Sequence, residues 1–574
     1  MERDVASTAQ GGTDFQTMKF AYRPAHEPTG HIHPVAIVGA GPIGLAAAID
    51  LARQGVPVVV LDNDDTLSTG SRALCFAKRT LEIFDRLGCG QRMVDKGVRW
   101  NVGKVFLRNE QIYSFDLLPE TGHRRPAFIN LQQYYVEGYL VQRAAEFPNI
   151  ELRWKSEVAA VEQHDDHVTL AVDTPDGRYA LQARYVIAAD GARSAMRHAL
   201  GLESHGRSFK DRFLIADVKM KAPFPAERWF WFDPPFHPNQ SVLLHRQPDD
   251  IWRIDFQLGW DADPVAEKAP ERVIPRVKAL LGDDVEFELE WVSVYTFACL
   301  RMDSFRHGRV LFAGDSAHGV SPFGARGANS GIQDTDNLAW KLKLVLDGTA
   351  PDALLNTYAA ERQYAADENI LNSTRSTDFI TPKSRVSRLF RDATLTLAKT
   401  CPFARRLVNS GRLSVPAVLR NSTLNTPDCP GDAFDSPVVP GAPSPDAPIR
   451  VAGLDAWFLG LASSSAFAGL YFCQAGEVPG EAARKLAALQ HAGFPVDLLL
   501  VASAETGAPA AGAPADPLPG SIHVIEDATG TLARRFDARP GSFYLLRPDQ
   551  HLCARWRNWN EVQAVAALKR ATCQ

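Results

Sequence analysis

Residues 35–62 read VAIVGAGPIGLAAAIDLARQGVPVVVLD and carry the signature of a strand–helix–strand unit. Residues 35–38 form a short apolar run typical of a buried strand, and residues 43–54 have the length and composition of a helix. A second apolar run at 58–61 predicts the next strand. Short apolar runs alternate with helical periods again at 183–200 and 308–345, so the sequence predicts an α/β fold in which these pieces form one sheet.

Three glycines between the first strand and the helix follow the pattern GxGxxG. The first allows a tight turn, the second lets the backbone approach a pyrophosphate, and the third lets the helix pack on the strand. Asp62 ends the second strand, where a carboxylate can accept hydrogen bonds from ribose hydroxyls. The unit therefore predicts a dinucleotide site at the amino end of the helix. The predicted contacts from this turn are Gly39, Gly41, Pro42, Ile43 and Gly44.

Composition excludes several classes of function. The chain has 574 residues, with 62 Lys and Arg against 67 Asp and Glu and a formal net charge of -5, which is not the basic balance of a nucleic-acid-binding protein. Eight cysteines are scattered without a CxxC pair, so we expect a reducing, cytoplasmic location and no metal site. No run of eighteen apolar residues occurs, and we expect no membrane partner.

Shifts in composition predict how the chain is divided. Residues 205–300 contain strand-like runs separated by Pro, Asp and Asn turns, which indicates a β-sheet domain inserted into the α/β domain. A later stretch dense in Pro, Asp and Gly predicts a linker. The predicted segments are an arm at 1–33, an α/β domain made of 34–204 and 301–425, the sheet domain at 205–300, the linker at 426–449 and a C-terminal domain at 450–574.

Two further motifs also place an aspartate after a strand. Residues 185–201, YVIAADGARSAMRHALG, contain Asp190 followed by glycine, and residues 308–346 contain Asp315 preceded by glycine, then a Gly-rich loop and a long helix. GxGxxG, DG and GD motifs in this order resemble those of the class A flavoprotein monooxygenases, the aromatic hydroxylase family. The resemblance implies FAD as cofactor, in a Rossmann-like domain of the para-hydroxybenzoate hydroxylase type.

The resemblance also assigns FAD contacts around the GD motif. Asp315 would bind the ribitol region, and the loop that follows would wrap the isoalloxazine. We expect Asn329 or Ser330 to cap the long helix, whose first amides can stabilise negative charge on reduced flavin. Ala325 and Arg326 stand where relatives often have Gly-Gln. The loop residues that match the family pattern are Pro322, Gly327, Ala328 and Asn329.

More distant positions match the family less closely. Ser71 and Arg72 match a segment in which an arginine meets the FAD pyrophosphate, although Arg72 could also be an ordinary surface residue. Gln133 and Val158 match further FAD contacts, and a purely structural role is equally open for both.

The DG motif is expected to serve two cofactors. By resemblance, Asp190 with Arg193 and Arg197 would contact FAD and the nicotinamide cofactor, while a helix-capping role for Asp190 is also open. No second GxGxxG unit follows the first, so NADH or NADPH would act as electron donor without a domain of its own.

The substrate side offers weaker candidates for catalysis. Residues 251–258 alternate, which places Arg253, Asp255 and Gln257 on the face opposite to Trp252, Ile254, Phe256 and Leu258. This polar face either contacts solvent or roofs the cavity over the flavin, and the group that deprotonates the substrate stays unknown. Arg253 would be the natural partner of a substrate carboxylate.

Neighbouring residues have two interpretations each. His245 and Arg246 precede that strand and are further candidates for the cavity. The run 228–232, RWFWF, could line a cavity but is better explained as core. His318, next to the GD motif, is better explained by packing than by catalysis.

The C-terminal domain resembles the thioredoxin-like appendage of the phenol hydroxylase and 3-(3-hydroxyphenyl)propionate hydroxylase branch, most clearly at 525–556, but lacks CxxC. We therefore expect a structural or oligomer-forming module, compatible with a homodimer.

The resemblance implies an NAD(P)H-consuming monooxygenase that hydroxylates a small phenolic substrate with O2 through a flavin C4a-hydroperoxide. Two alternatives stay open: a flavin monooxygenase that acts on a polyketide or an antibiotic, and a flavin- or nucleotide-binding protein without turnover.

Overall fold

The computed structural model describes residues 15–25, 27–70, 72–408, 413–462, 465–502 and 521–574. Ser71 and residues 1–14 of the predicted arm lie outside the described residues. The arm contributes a short 3-10 helix, Phe15–Thr17, and the ring of Phe15 packs edge-on against Tyr139 with the ring centroids 5.4 Å apart. This contact fastens the described end of the arm to the α/β domain.

An eight-stranded, mainly parallel sheet forms the centre of the α/β domain. Ile32–Val38 pairs in parallel with Val58–Leu61 on one side and with Gly177–Ala188 on the other. The predicted strand–helix–strand unit is present, and its helix begins one residue earlier than predicted, at Pro42. Across the sheet the strands are Arg306–His307, Val310–Phe312, Gly177–Ala188, Ile32–Val38, Val58–Leu61 and Ile150–Arg153. Val168–Thr174 pairs with the first half of Gly177–Ala188, and Glu157–Gln163 pairs with Val168–Thr174.

Helices cover this sheet because their apolar residues are buried against it. The most buried are Pro42–Arg53 and Gly327–Leu346, which lie side by side. The remaining helices of this part of the chain are Lys78–Leu87, Gly90–Lys96, Gln133–Ala144, Ala195–Ala199, Leu354–Ile380, Arg385–Ala398 and Pro402–Val408. Two three-stranded sheets flank the domain: Cys75–Ala77, Phe128–Asn130 and Val98–Trp100; and Ser204–Ser208, Ala298–Met302 and His318–Gly319.

A seven-stranded sheet forms the second layer, as predicted for residues 205–300, but it also includes two strands from residues 102–116. The additional strands join through a parallel pairing of Val102–Leu107 with Arg228–Phe232, and such long-range pairings leave no local sequence signal. In order the strands are Glu288–Tyr295, Arg212–Lys219, Ile251–Leu258, Ser241–Arg246, Arg228–Phe232, Val102–Leu107 and Glu110–Asp116. One face packs on the helix Pro270–Leu281.

The C-terminal region contains a five-stranded mixed sheet. Its strands in order are Ile522–Ile525, Val496–Val501, Phe467–Phe472, Phe543–Leu546 and Leu552–Trp556, and its helices are Pro479–Gln490, Thr531–Phe536 and Glu561–Ala571. A hairpin, Pro448–Val451 with Leu454–Trp457, precedes them, so the predicted boundary at residue 450 falls inside a strand. The thioredoxin-like character of this region stays a prediction.

Buried ionic contacts connect the C-terminal sheet to the long helices of the α/β domain. Arg547 is 1% exposed and donates to Glu361 (2.6 Å) and to Asp549 (3.0 Å). Lys341 also donates to Glu361, at 2.7 Å. Arg79 donates to the backbone oxygen of Asp549 at 2.8 Å. Because these groups are removed from water, the two regions depend on each other's charges.

Within the described ranges, no helix is long and apolar enough to span a lipid bilayer.

Replacing Arg547 by Met should lower the thermal stability of the protein. Glu361 and Asp549 would remain buried without this cation, and the loss of one partner of a buried ion pair costs about 3–5 kcal/mol. Thermal unfolding followed by circular dichroism should show a clearly lower apparent midpoint. Arg450→Met removes an exposed contact with Asp455 and serves as the control. Equal midpoints for both variants would contradict this role of Arg547.

Candidate active site

One cavity of about 1180 Å³ is lined by the central sheet, by the loops that follow its strands and by the seven-stranded sheet. It brings together most of the residues predicted to contact the cofactor. The predicted residues that line it are Gly39, Gly41, Pro42, Ile43, Asp62, Arg72, Gln133, Val158, Asp190, Asp315, Pro322, Gly327, Ala328 and Asn329. Gly44 lies behind this wall, where the helix meets the strand.

The three glycines of the first turn differ in the space that each would leave for a side chain. Gly39 has φ 106°, and a Cβ added there would lie 2.5 Å from the carbonyl oxygen of Ala189. A Cβ at Gly44 would lie 1.9 Å from the carbonyl oxygen of Gly39. At Gly41 nothing lies within 4 Å of the added Cβ. The fold therefore needs Gly39 and Gly44, whereas Gly41 leaves room for a ligand at the amino end of the helix.

Asp62 is held against this turn. Its carboxylate accepts hydrogen bonds from the backbone N–H of Ala40 and, at 2.9 Å, from that of Asp64. Burial raises the pKa of Asp62 above its usual range. The carboxylate lines the cavity next to the glycine turn, which is the position predicted for a ribose contact.

The GD motif is positioned by a buried carboxylate on the long helix. Asp334 accepts hydrogen bonds from the N–H of Gly314 (3.0 Å), from Nε2 of His318 (2.7 Å) and from Nε of Arg362 (2.6 Å). His318 thus has the packing role favoured from the sequence. Asp315 faces the cavity. Loss of solvation among the surrounding protein atoms raises its pKa, although the charges of His318 and Arg72 act in the opposite direction.

The loop after the GD motif turns through a left-handed residue. Ala325 has φ 49°, a conformation that costs an alanine about 1–2 kcal/mol and that a glycine adopts freely. The long helix then begins at Gly327 with Arg326 as its N-cap. The prediction that Asn329 or Ser330 caps this helix is therefore wrong.

Asn329 instead connects the loop to a neighbouring strand. Its side-chain oxygen accepts from the N–H of Ala77 at 2.8 Å, and its side-chain nitrogen donates to the backbone oxygens of Cys75 (2.8 Å) and Ala325 (2.6 Å). The side chain thereby provides hydrogen-bond partners for three backbone groups. Asn329 fixes the loop at the wall of the cavity.

The DG motif shows the helix-end contact that the sequence left open, while its role toward a cofactor stays a prediction. One carboxylate oxygen of Asp190 accepts from the N–H of Met196 at 3.0 Å, near the start of a short helix. The other, Oδ1, is buried and has no hydrogen-bond partner among the described residues. Arg197 donates to the backbone oxygens of Ser316 and Ala192 and so joins the DG and GD loops, whereas Arg193 lines the cavity.

Arg72 and Gln133 differ in the hydrogen bonds that they form with the rest of the protein. Arg72 is exposed at the cavity wall and forms no hydrogen bond or ion pair with the described residues. Gln133 donates to Ser68 (3.0 Å) and Glu137 (2.8 Å) and accepts from the N–H of Ala73 (3.1 Å). Arg72 is thus available to an anion, and Gln133 organises the segment that carries it.

The opposite wall is the polar face of the seven-stranded sheet. The strand register places Arg228, His245, Arg253 and Asp217 in one row across four adjacent strands, so their side chains share a face. Trp252, Ile254, Phe256 and Leu258 pack on the other side, as predicted. Of the predicted polar face, Arg253 and Asp255 line the cavity.

Arg253 is already neutralised by a protein partner. Its Nε and Nη2 atoms each donate to the carboxylate of Asp217 at 2.8 Å, a bidentate contact. Gln247 donates to the same carboxylate at 3.0 Å. The prediction that Arg253 binds a substrate carboxylate is therefore not favoured by the geometry.

Asp255 and His245 are close but do not form an ion pair. His245 Nε2 lies 3.8 Å from Asp255 Oδ2. Burial and the charges of Arg228 and Arg253 hold the pKa of His245 well below its usual range, so the imidazole is neutral. Burial raises the pKa of Asp255 to about 6. The cavity wall thus carries a carboxylate that can change protonation near neutral pH.

Arg228 was missed because it begins a run of aromatic residues. Phe230 and Phe232 lie on its side of the strand, while Trp229 and Trp231 pack on the other, so the core interpretation of RWFWF was correct for the rings. Arg228 lines the cavity. Only the pairing of Arg228 with His245 in the next strand shows this, and no local sequence signal encodes it.

Two candidates lie outside the cavity. Gln257 accepts hydrogen bonds from the N–H (3.0 Å) and hydroxyl (2.6 Å) of Ser241. Arg246 lies on the opposite face, over the ring of Trp252.

The composition of the first wall fits a dinucleotide. It offers an open helix terminus at Gly41, a guanidinium at Arg72 and a buried, unpartnered oxygen on Asp190. A family model described as FAD binding domain matches residues 33–373. The chain belongs to this FAD-binding family. The predicted family and its FAD cofactor are thereby confirmed.

Named relatives support the same family. The 3-(3-hydroxy-phenyl)propionate/3-hydroxycinnamic acid hydroxylase of Mycolicibacterium smegmatis is 30% identical over 382 residues, which is 65% of this chain and 66% of that protein. A probable NADH-specific resorcinol 4-hydroxylase of Rhodococcus jostii is 34% identical over 333 residues, 57% of this chain and 62% of that protein. The chain thus matches slightly less than two thirds of the length of these relatives.

Solved structures show the same fold. The flavin-dependent monooxygenase PieE, in complex with FAD and substrate, superposes with a TM-score of 0.78 at 22% identity and covers 95% of this chain and 100% of its own. Aklavinone-11 hydroxylase with FAD and aklavinone gives a TM-score of 0.72 at 22% identity, with coverages of 95% and 100%. At these coverages the likeness includes the C-terminal region.

The glycine geometry predicts a variant that separates cofactor binding from folding. Gly41→Ala places a methyl group where the protein has open space, so the unfolding midpoint of the FAD-free protein should not change. The Kd for FAD should rise about tenfold or more, which corresponds to about 1.4 kcal/mol. Fluorescence titration of the FAD-free protein with FAD measures this.

Two further variants control the glycine experiment. Gly259→Ala, where an added Cβ also meets nothing, should leave both quantities unchanged. Gly44→Ala should reduce the yield of folded protein. Wild-type affinity for FAD in Gly41→Ala would contradict the proposed approach of the ligand to this turn.

Proposed function

We propose that this chain is an FAD-dependent monooxygenase that uses NADH or NADPH and O2 to hydroxylate a phenolic substrate. The observation that carries the proposal is the continuity of one cavity between the dinucleotide-binding elements and the polar face of the seven-stranded sheet. A substrate on that sheet would lie next to the end of a cofactor held by the opposite wall. The names of the relatives as phenol-type hydroxylases agree with this arrangement.

The wall that carries the sequence motifs would hold FAD, which supplies the oxidation–reduction and oxygen-transfer chemistry when bound. Asp62 would accept hydrogen bonds from the ribose, Arg72 would meet the pyrophosphate, and Asp315 would bind the ribitol hydroxyls. The amides at the start of Gly327–Leu346 would stabilise negative charge on the ring system. Asp190 and Arg193 are proposed contacts of FAD and of the visiting nicotinamide cofactor.

Asp255 is the proposed acceptor of the phenolic proton. Its carboxylate lines the cavity and, apart from the 3.8 Å approach of His245, has no hydrogen bond or ion pair with described residues. Removing the proton raises electron density on the ring and so activates it for hydroxylation. Burial places the pKa of the carboxyl near 6, a value suited to a general base at neutral pH.

The groups around Asp255 modulate its charge. Arg253 and Arg228 lower its pKa, whereas Asp217 and burial raise it. Neutral His245 contributes no charge, and Tyr295, whose pKa burial raises well above its usual range, faces the same cavity as a neutral phenol. The carboxylate of Asp255 is therefore the group of this wall that titrates in the physiological range.

Activity should fall on the acid side as Asp255 becomes protonated. Because the acceptor must be ionised, kcat/KM for a neutral phenol should decline as the pH drops through about 6. Asp255→Asn should lose this acid limb and reduce kcat/KM by about 10²–10⁴-fold. Asp250→Asn changes a partly buried carboxylate just before the same strand that does not line the cavity, and it is the matched control. An unchanged acid limb in Asp255→Asn would exclude Asp255 as the acceptor.

The proposed function itself is tested by substrate-stimulated oxidation of NADH and of NADPH. The FAD-loaded protein is mixed with single phenols, and hydroxylated product and hydrogen peroxide are quantified together. A phenol that accelerates oxidation and yields product is the expected result. A panel in which no phenol accelerates oxidation would overturn the proposal.

The C-terminal region is proposed to be a structural module that stabilises the FAD-binding helices. Its buried contacts through Arg547 support this role. Association into a homodimer is likewise a proposal, and sedimentation velocity of the purified protein tests it.

A further inference from the structure

We infer that Arg228 forms an anion-binding subsite of the cavity, and that the phenolic substrates of this chain carry a carboxylate. The inference rests on the proposed function and names the class of its substrate. It assigns the role of carboxylate partner to a residue on a different strand from Arg253.

Arg228 differs from every other buried arginine that the structure describes. Ten others are buried, and each donates at least one hydrogen bond to a carboxylate, a side-chain amide or a backbone carbonyl. These ten are Arg79, Arg125, Arg153, Arg197, Arg253, Arg326, Arg362, Arg391, Arg547 and Arg555. Arg228 is 7% exposed and has no hydrogen bond or ion pair with the described residues.

A buried guanidinium without a partner is costly, so its retention at this position needs an explanation. Removing a cation from water is compensated when an anion pairs with it. The cost is visible in the pKa of Arg228, which burial lowers. A ligand that brings a negative charge into the cavity would supply the missing partner.

The neighbouring acidic groups do not supply that partner. Glu227, the preceding residue, accepts from Lys104 (2.8 Å) and from the indole of Trp229 (2.7 Å). Asp217 is engaged by Arg253. Asp255 lies two strands away and makes no ion pair with Arg228.

The position of Arg228 suits one end of an aromatic acid. It lines both the main cavity and a small, mainly apolar neighbouring pocket of about 30 Å³, whose wall includes Phe230, Phe232 and Phe323. Two strands separate Arg228 from Asp255, so their backbones are about 10 Å apart across the sheet. A guanidinium binds a carboxylate in bidentate geometry, and the phenol of the same molecule would point toward Asp255.

The test compares two substrates of equal size on FAD-loaded enzyme. The pair is 3-(3-hydroxyphenyl)propionate and its primary amide, which differ only in charge. Arg228→Met should raise KM for the acid about 30-fold or more, as expected for the loss of a charged hydrogen-bonded pair, and change KM for the amide less than about threefold. Arg228→Lys should lie between the two for the acid.

A matched variant controls for general effects of charge on the sheet. Arg246→Met removes an arginine of the adjacent strand that lies on the opposite face, and KM for both substrates should stay at the wild-type value. FAD content and the unfolding midpoint of each variant show whether it folds.

Three results would overturn the inference. An equal rise of KM for the acid and the amide in folded Arg228→Met would mean that the residue acts on the phenol rather than on a carboxylate. The inference would also be overturned if the wild-type enzyme had the same KM for the amide as for the acid. The third such result is an equal rise of KM for the acid in Arg228→Lys and Arg228→Met.

Failure of the proposed function would look different. If no phenol stimulates turnover, the Kd values of acid and amide for the oxidised enzyme are measured from the change in flavin absorption. Tighter binding of the acid that is lost in Arg228→Met would still support the subsite, and equal Kd values would overturn it.

Discussion

The position of the FAD-binding wall depends on one fully buried carboxylate, that of Asp334. It receives hydrogen bonds from the GD loop, from His318 and from Arg362 on the next helix. Burial alone would raise its pKa, but the charges of His318 and Arg362 together with these hydrogen bonds outweigh burial, and the pKa is lowered. Asp334 thus stays ionised and joins a strand end, a loop and two long helices. Asp315 owes its place at the cavity to this arrangement.

Charge distribution gives the two walls different tasks. The motif-bearing wall keeps groups available to an anionic dinucleotide, notably Arg72 and the open helix terminus at Gly41. On the sheet, the Arg253–Asp217 pair cancels one charge. Arg228 and Asp255 form no hydrogen bond with the described residues, and the approach of neutral His245 to Asp255 is 3.8 Å. Substrate binding and proton transfer are therefore assigned to Arg228 and Asp255, whose side chains are not used to hold the fold together.

Local sequence patterns were sufficient to predict most of the fold and part of the candidate site. The GxGxxG unit and the alternation in residues 251–258 each have a short-range cause, namely steric demand for glycine or a two-residue period. The role of Asp315 was instead predicted from the family resemblance. The start of the long helix was misplaced because the left-handed turn at Ala325 has no strong sequence signal. Arg228 and the strands at 102–116 could not be predicted, since cross-strand register joins residues that are distant in the chain.

A crystal structure of the FAD-loaded enzyme with 3-(3-hydroxyphenyl)propionate would test the central claim most directly, namely that one cavity holds the cofactor on one wall and an anionic phenol on the other. The account predicts density for the carboxylate within hydrogen-bond distance of Arg228, with the phenolic oxygen toward Asp255. A ligand bound with its carboxylate away from Arg228, or outside the cavity, would contradict it.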